Sequence, residues 1–393
     1  MWLNFLKVAL RSIRRQKFYS FINVFGLTVG MATALMILLY ISDEVSYDRF
    51  HKDADRIYRL GIKGKLAGQD FNMATCSEPI AATLVAEVPE IEAAVRIMPV
   101  RQVIVQYEDK SFTEDIVLLA DSNFFSFFTF NLMEGVSEDA LKGPNKIVLK
   151  ESAARKYFNY QGKGDTSPLG KIILYGTNGV ACEVTGIVQD PPANSHFTFN
   201  MLLSMETWEG SRRTQYTSNS SYTYYRVAEN ANSEVQSKLD AIVDKYVGPE
   251  IQQFLGISMA EFRKQGGAYR YLPERLTNIH LKSTFGEQFM PNGNIQYLYI
   301  FGAIGLFIIV IACINFMNLA TARSANRAKE VSIRKTIGAV KGRLIAQFFS
   351  ESILYALLSL VIALLTVWAL LPMFNQLAGK GINLSALLSL QFI

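Results

Sequence analysis

The sequence predicts a membrane protein in which α-helical transmembrane segments carry a large extracytoplasmic mixed α/β domain, inserted between helices 1 and 2. Three observations predict this fold class. The chain of 393 residues is half hydrophobic, its apolarity is concentrated in three long runs, and its charges are distributed unevenly around those runs. The stretch between the first two runs, by contrast, has the composition and turn chemistry of a folded domain.

The three apolar runs are long enough to cross a bilayer. Residues 21–41 contain no charge, residues 297–322 form a second uncharged run, and residues 348–374 are interrupted only by Glu351. About 20 apolar helical residues cover a hydrocarbon core of roughly 30 Å. We therefore predict transmembrane helices at 21–42, 297–322 and 349–374. The first run exceeds the apolar core of a cleaved signal peptide, which favours a retained anchor.

Charge sets the predicted orientation. Residues 1–20 contain five Lys or Arg and no acid, and residues 323–348 contain seven against Glu330 alone, whereas residues 43–296 have a net charge of −6. Basic loops stay in the cytoplasm. We therefore expect a cytoplasmic amphipathic N-terminal helix at 1–20, an extracytoplasmic domain at 43–296 and a cytoplasmic loop at 323–348. Residues 375–393 are expected to form an outer loop and the start of a fourth helix that the sequence does not complete.

The 43–296 stretch alternates strand-like and helix-like patterns, which indicates small βαβ-type subdomains. Residues 211–225, rich in Ser, Thr and Tyr, are expected to form an exposed segment or a hairpin. Strands are predicted at 102–107, 115–120, 146–149, 171–175, 182–188, 197–203 and 221–227, and helices at 78–88, 123–128, 151–158 and 234–247.

The sequence offers no catalytic or metal-binding pattern. The chain has three histidines, and none has a second His or Cys at metal-ligand spacing. Ser195-His196 lacks a nucleophile-elbow context and is interpreted as part of a turn. A phosphate-binding loop is also missing from the sequence, so we predict no enzyme, no metal site, no cofactor and no nucleic-acid partner. Cys76 and Cys182 leave a disulfide open as an alternative.

The basic loop has the pattern of a docking element. Written as a helix, it places Ile333, Ile337, Val340, Leu344 and Phe348 on one stripe, with Gly338 permitting a turn near the middle. A loop that only sets topology needs a few basic residues, whereas this one extends over about 25 patterned residues. In the second apolar run, Asn315 and Asn318 are interpreted as helix-packing residues. Gly26 and Gly30 in the first run form a Gly-x-x-x-Gly pair that allows close helix approach.

Three motifs resemble a known family. Residues 327–339 (RAKEVSIRKTIGA), followed by 347–352 (QFFSES), look like the cytoplasmic loop of FtsX-like ABC-transporter permeases. Residues 47–59 (YDRFHKDADRIYR) resemble the entry to the periplasmic core domain of MacB-like permeases, particularly the long paralogues of Bacteroidetes-type bacteria. Residues 190–196 (DPPANSH) resemble a turn of that domain.

The resemblance implies a permease subunit of the bacterial inner membrane, with its N-terminus cytoplasmic and its large domain periplasmic. It implies an ATP-binding cassette ATPase as partner, a second permease copy in a homo- or heterodimer, contact with membrane lipid, and room for a periplasmic adaptor. ATP hydrolysis would move the periplasmic domain for export or extraction of a substrate. The residues implied for ATPase coupling are Glu330, Arg334, Lys335 and Gly338, together with Arg327.

A second interpretation remains open from the residues alone. A membrane-anchored sensor or interaction protein could bind a ligand with its outer domain and signal through the helices. Such a protein would need a cytoplasmic signalling domain, and the sequence contains none that we can identify. A neighbouring gene for an ATPase would favour the permease interpretation.

Overall fold

The structure of the protein, a computed structural model, describes residues 17–66, 68–162, 167–229, 235–336 and 341–384. Within the two long helices it leaves undescribed the side chains of residues 323–331, 334, 335, 341, 343, 344 and 347. The chain divides into two compact units, a helical unit (residues 1–45 and 294–393) and an outer unit (residues 46–293). The predicted fold class is confirmed, because apolar helices flank one large α/β domain. The predicted N-terminal helix falls mostly on residues 1–16, and the predicted start of a fourth helix on residues 385–393, both outside the described residues.

The helices of the described residues are named in chain order. Residues 243–247 form a π-turn between α5 and α6. The helices are α1 (Lys17–Val45), α2 (Ile80–Glu87), α3 (Phe124–Phe127), α4 (Glu151–Phe158), α5 (Val235–Ile242), α6 (Gly248–Leu255), α7 (Met259–Lys264), α8 (Ile279–Lys282), α9 (Ile295–Thr336) and α10 (Lys341–Ala378).

Three helices of the described chain are long and apolar enough to cross a membrane, at Lys17–Val45, Ile295–Ala322 and Phe348–Ala378. Gly30 permits α1 to approach α9 closely, since a Cβ there would lie 2.7 Å from the Cβ of Ala312. This contact confirms the close helix approach that the Gly-x-x-x-Gly pair predicts. Between α1 and α10, Ser20 Oγ lies 2.8 Å from Tyr355 Oη.

The strands of the described residues belong to the outer unit. They are β1 (Ile57–Leu66), β2 (Gln69–Met73), β3 (Cys76–Ser77), β4 (Ile91–Tyr107), β5 (Lys110–Ala120), β6 (Leu132–Gly135), β7 (Lys146–Lys150), β8 (Ile172–Tyr175), β9 (Val180–Val188), β10 (Met201–Ser204), β11 (Asn219–Val227) and β12 (Ala268–Arg275).

The strands form two lobes that share β4 and β5. In the first lobe the order is β12-β1-β11-β4-β5, all antiparallel. In the second lobe, β4, β5, β10, β7, β9 and β8 pair in that order, and β8 pairs back onto β4 at Val105 and Gln106, so the strands close into a barrel. The parallel pair β7–β9 is linked through α4, as expected for a βαβ unit.

Each lobe has its own apolar core. One core lies under the first lobe and includes the aromatic residues Phe124, Phe128, Phe197, Phe199 and Phe289. A second core fills the barrel, built from inward-facing residues such as Val105, Leu119, Ile147, Val184 and Leu203. A third core packs α2, α5 and α6 against the opposite face of β1 and β11.

Some local predictions are wrong. The strand predicted at 197–203 begins four residues later than predicted, because β10 covers only Met201–Ser204. The stretch 211–225 is exposed only in its first half, at residues 212–215, whereas residues 219–227 form the central strand β11 with buried positions 221–225. Strands β1, β2, β3, β6 and β12 are not among the strands predicted from the sequence. Cys76 and Cys182 are free and belong to different cores, so they do not form a disulfide.

Candidate functional site

The predicted coupling segment, residues 327–338, contains the five residues implied for ATPase coupling, and its residues up to Thr336 lie on an extension of the second apolar helix. Helix α9 is continuous over Ile295–Thr336, whereas its candidate membrane span ends at Ala322. At 1.5 Å per residue, residues 323–336 extend the helix by about 21 Å. The backbones of Arg327, Glu330, Arg334 and Lys335 lie on this extension, while their side chains are outside the described atoms; Gly338 is outside the described residues altogether.

The described side chains of the extension are solvent-exposed. Ile333, which begins the predicted apolar stripe, is 56% exposed, although it is an apolar residue in a basic segment. Thr336 Oγ1 donates a hydrogen bond to the Ile333 carbonyl oxygen at 2.7 Å. The start of the stripe is therefore open in this single chain. Helix α10 then begins at Lys341 and reaches its candidate span at Phe348.

The outer unit begins with a short segment, Ser46–Lys52, which we call the entry segment because it follows α1 directly. Asp48 has a left-handed backbone (φ 60°), and its N–H donates to the Asn194 carbonyl oxygen at 2.9 Å. The Asp48 carboxylate accepts from the His196 backbone N–H at 3.0 Å. His196 Nδ1 lies 2.8 Å from the same oxygen, and His196 Nε2 lies 2.7 Å from Tyr224 Oη. The entry segment is thus bonded to the turn 190–196 and, through His196, to β11.

His51 forms the second attachment of the entry segment. Its Nδ1 accepts a hydrogen bond from the Thr129 N–H at 3.1 Å, and the adjacent Lys52 N–H donates to Thr129 Oγ1 at 2.9 Å. The imidazole ring lies among Phe50, Phe128 and Phe130. Burial in this aromatic pocket lowers the pKa of His51 to about 4, although the Asp48 carboxylate acts in the opposite direction. His51 is therefore neutral at neutral pH.

The third histidine also contacts the entry segment. The rings of His280 and Tyr47 stack with centroids 3.4 Å apart and planes at 4°. The chain contains three histidines, at 51, 196 and 280. One is part of the entry segment and the other two contact it, so all three meet at the same short stretch of chain.

The outer unit ends with a second segment, Ser283–Phe289, which we call the exit segment because the chain continues from it towards α9. Arg59, fully buried on β1, donates to Glu274 Oε2 at 2.6 Å, to Gln288 Oε1 at 2.8 Å and to Ser283 Oγ at 3.0 Å. Its pairing with Glu274 matters because a buried cation without a partner carries a large desolvation penalty. Gly61 leaves room for Phe285, whose ring lies where a Cβ would be, within 2.4 Å.

The entry and exit segments are attached to one face of one strand. Tyr222 and Tyr224 are two residues apart on β11 and therefore point to the same side. Tyr224 lies against His196, whereas the Tyr222 hydroxyl donates to the Glu287 carbonyl oxygen of the exit segment at 2.6 Å. Phe289 then packs against Tyr222 and Phe197. Strand β11 is thus the common anchor of both segments.

This cluster does not have the geometry of a catalytic or metal site. Ser195 Oγ donates to Asp48 rather than to His196, and all three residues are buried. Among the described residues, no group of three or more His, Cys, Asp or Glu is placed to hold a metal ion. The cluster instead attaches a chain segment to a core.

Two family comparisons cover most of the chain. The MacB-like periplasmic core domain matches residues 20–242, and the FtsX-like permease C-terminal domain matches residues 302–393. The chain belongs to the MacB/FtsX-like permease family. The first match begins inside α1 and contains the entry segment, and the second begins within α9 and contains the coupling segment.

Solved structures are also similar to this permease. A domain assigned to a permease protein of Porphyromonas gingivalis is 22% identical, with a TM-score of 0.46 over 64% of this chain and 98% of that chain. The periplasmic region of MacB from Actinobacillus actinomycetemcomitans is 15% identical, with a TM-score of 0.35 over 57% and 91%. The extracellular domain of the noncanonical ABC-type transporter YknZ from Gram-positive bacteria is 16% identical, with a TM-score of 0.34 over 55% and 99%. No curated protein sequence gives a match.

The residues of the permease's entry segment belong to a motif visible in the sequence, but their interactions are not visible there. The motifs 47–59 and 190–196 each contain Asp or His in a turn-like context, and each was interpreted separately. In the structure they bond to one another, with Asp48 and His196 as the link. One sequence feature could have pointed to this contact. His51 follows the first apolar run, His196 ends the 190–196 motif, and His280 precedes the second apolar run.

Proposed function

We propose that this protein is the transmembrane subunit of an ABC transporter of the mechanotransmission type. A separate ATP-binding subunit hydrolyses ATP in the cytoplasm, and the permease converts that cycle into movement of its periplasmic domain for export or extraction of a substrate. The chain itself is not an enzyme. It resides in the bacterial inner membrane as a multi-pass protein and works with a second permease copy, with bilayer lipid around its helices and a periplasmic adaptor as a further partner.

The continuity of α9 is the observation that carries the proposal. One helix extends from the candidate span at Ile295–Ala322 to Thr336, with Arg327, Glu330, Arg334 and Lys335 on the part beyond the span. A continuous helix keeps a backbone hydrogen bond at each residue, so a push on one end moves the other. The 323–336 part carries basic residues for a cytoplasmic partner and an exposed Ile333 for an apolar contact.

The attachment of the outer unit to its two chain segments supports the same proposal. A domain that is moved by its connecting segments needs those segments fixed to its core. Here both segments are bonded to β11, one through His196 and Tyr224 and the other through Tyr222. Movement of either connection would therefore be passed to the central sheet.

Co-purification with candidate ATP-binding subunits tests the proposal. The wild-type permease is expected to retain one ATPase. Two variants are expected to retain at most about one tenth of the ATPase that the wild type retains. Glu330→Lys reverses a charge in the coupling segment, and Gly338→Pro restricts its backbone. Glu138→Lys is the matched control, since it makes the same charge change at an exposed position of the outer unit.

Two results would contradict the proposal. One is that no ATP-binding subunit is retained by the wild type. The other is that the loop variants leave both retention and ATP hydrolysis at the level of Glu138→Lys. Either result would favour a membrane-anchored sensor or interaction protein.

A further inference from the structure

The three histidines give the entry segment a property that the proposed function does not require. Histidine is the side chain whose ordinary titration falls between pH 5 and 8. All three histidines of the chain contact or belong to Ser46–Lys52, and His51, His196 and His280 are each at most 6% exposed. The extracytoplasmic side of a membrane protein meets external pH directly, so the position of these groups has a physical consequence.

The hydrogen bond that His51 accepts at Nδ1 fixes the tautomer of its neutral ring. Its Nδ1 accepts the Thr129 N–H, so the ring's single proton must be on Nε2 in the docked segment. A second proton can be added only at Nδ1, the atom that accepts this bond. Protonation therefore removes the Thr129 hydrogen bond and places a charge among Phe50, Phe128 and Phe130. Both effects disfavour the docked position.

The other groups around the cluster do not cancel this effect. The Asp48 carboxylate favours a charged His51, whereas His196 disfavours it, and burial acts most strongly, so that the pKa of His51 falls to about 4. A protonated His51 thus gains too little from Asp48 to offset its loss of water. Besides Asp48 and His196, other titratable and charged groups lie around the cluster. They are Tyr47, Arg49 and Lys52 on the segment, His280 on α8, Tyr224 on β11, Arg59 on β1, and Arg226, which lies over Phe127.

We propose that the entry segment Ser46–Lys52 is an acid-sensitive latch, docked onto the outer unit while His51 is neutral and released when His51 takes up a proton. Release would free residues 46–52 from Thr129 and from the turn 190–196, while the exit segment stays attached through Arg59. Acid outside the cell would then disconnect one of the two chain connections of the outer unit. This inference does not depend on which partner binds the cytoplasmic loop.

The size of the effect follows from linkage. If His51 titrates at its ordinary value of 6.5 in the released segment and at about 4 when docked, the released population rises roughly thirtyfold between pH 7.5 and pH 5. The sign is fixed because the docked state binds the proton more weakly. Docking is complete above pH 6.5 and weakens as the pH falls towards 4.

Hydrogen–deuterium exchange of the full-length protein in nanodiscs tests this latch. Exchange of peptides containing residues 46–52 and 128–130, corrected for the intrinsic rate, is expected to rise about thirtyfold from pH 7.5 to pH 5. Peptides from the barrel strands β5 and β7 are expected to keep their protection. His51→Gln cannot titrate, so its latch peptides should show no such rise.

His280→Gln is the matched control, because it removes another buried imidazole beside the entry segment and should leave the acid-induced rise intact. The latch is overturned if the wild-type peptides exchange equally at both pH values, or if the rise persists in His51→Gln. It is also overturned if the barrel peptides lose protection in parallel, which would mean general unfolding. That last comparison uses the wild type alone and decides the matter even if His51→Gln does not fold.

Discussion

The entry and exit segments solve the same structural problem with different chemistry. Both attach a chain connection to β11 of the outer unit, yet the entry segment depends on imidazole and carboxylate groups, and the exit segment on a guanidinium group that stays charged. Two attachments that are both buried can therefore respond differently to pH. We expect the exit segment to give the larger loss of stability when mutated, and the entry segment the larger response to pH.

The largest effect is expected when the exit attachment loses its cation. Arg59→Met leaves Glu274 and Gln288 without their partner in a buried site, which should lower the free energy of unfolding of the outer unit by about 3–5 kcal/mol. Urea unfolding of the full-length protein can follow this through Trp208, with Trp2 and Trp368 replaced by Phe. Arg270→Met is the control, because its pair with Asp240 is solvent-exposed and should cost at most about 1 kcal/mol. Equal losses in the two variants would show that burial does not make the Arg59 pair special.

The second effect separates the two segments by pH. Because the folded pKa of His51, about 4, lies below its ordinary value, folding stability is complete above pH 6.5 and falls as the pH is lowered towards 4. The loss from His51 should reach about 3 kcal/mol at pH 4. Urea unfolding at a series of pH values measures it as the difference between wild type and His51→Gln, which removes the shared contribution of carboxylates such as Asp53 and Glu114, whose pKa values are also lowered. Identical pH profiles for the two proteins would contradict the assignment.

A smaller effect is expected from filling the space beside Phe285. Gly61→Ala would place a Cβ about 2.4 Å from the Phe285 ring, and such overpacking typically costs 1–3 kcal/mol. Thermal unfolding should show the loss, and adding Phe285→Leu should recover part of it. Gly248→Ala serves as control, since its Cβ would meet Met259 at an ordinary 3.6 Å. If the double variant is no more stable than Gly61→Ala, the exit segment is not held by this contact.

The smallest effect is expected at the solvent-exposed side of the exit segment. Lys63 Nζ donates to Thr284 Oγ1 at 2.9 Å, but both groups are accessible to water. Lys63→Met should therefore lower the free energy of unfolding by at most about 1 kcal/mol, measured as for Arg59→Met. A loss comparable to that of Arg59→Met would show that exposed and buried contacts contribute alike to the exit segment.

The membrane helices and many strands were predictable because their signals are local. Uncharged runs of 20 or more residues and the asymmetry of Lys and Arg can be read directly from the sequence. Strands such as β7 and β9 can also be predicted from the sequence, since they are rich in β-branched residues. By contrast, β1 and β12 contain Arg, Lys or Glu at several positions, and the folded structure decides which of these are paired and which stay exposed. Their character depends on partners distant in sequence.

The candidate site was predictable only in part for the same reason. Residues 327–339 can be recognised as a motif, and the roles of Glu330, Arg334, Lys335, Gly338 and Arg327 stay predictions. The contact that attaches the entry segment joins Asp48 to His196 across 148 residues of sequence. No local pattern in a single sequence contains that contact. Burial of Arg59 could not be predicted from the sequence either, because an arginine is ordinarily expected on the surface.

The long strand β4 has a mechanical consequence of its own. It pairs with β5 from Ile97 to Tyr107, while its other edge passes from β11 to β8, and Gln102 on the way has a left-handed backbone (φ 54°). Both lobes contain the β4–β5 ladder, so the lobes cannot separate without breaking it. Because a non-glycine residue in the left-handed region is the least regular point of this strand, we expect any change in the angle between the lobes to bend β4 at Gln102.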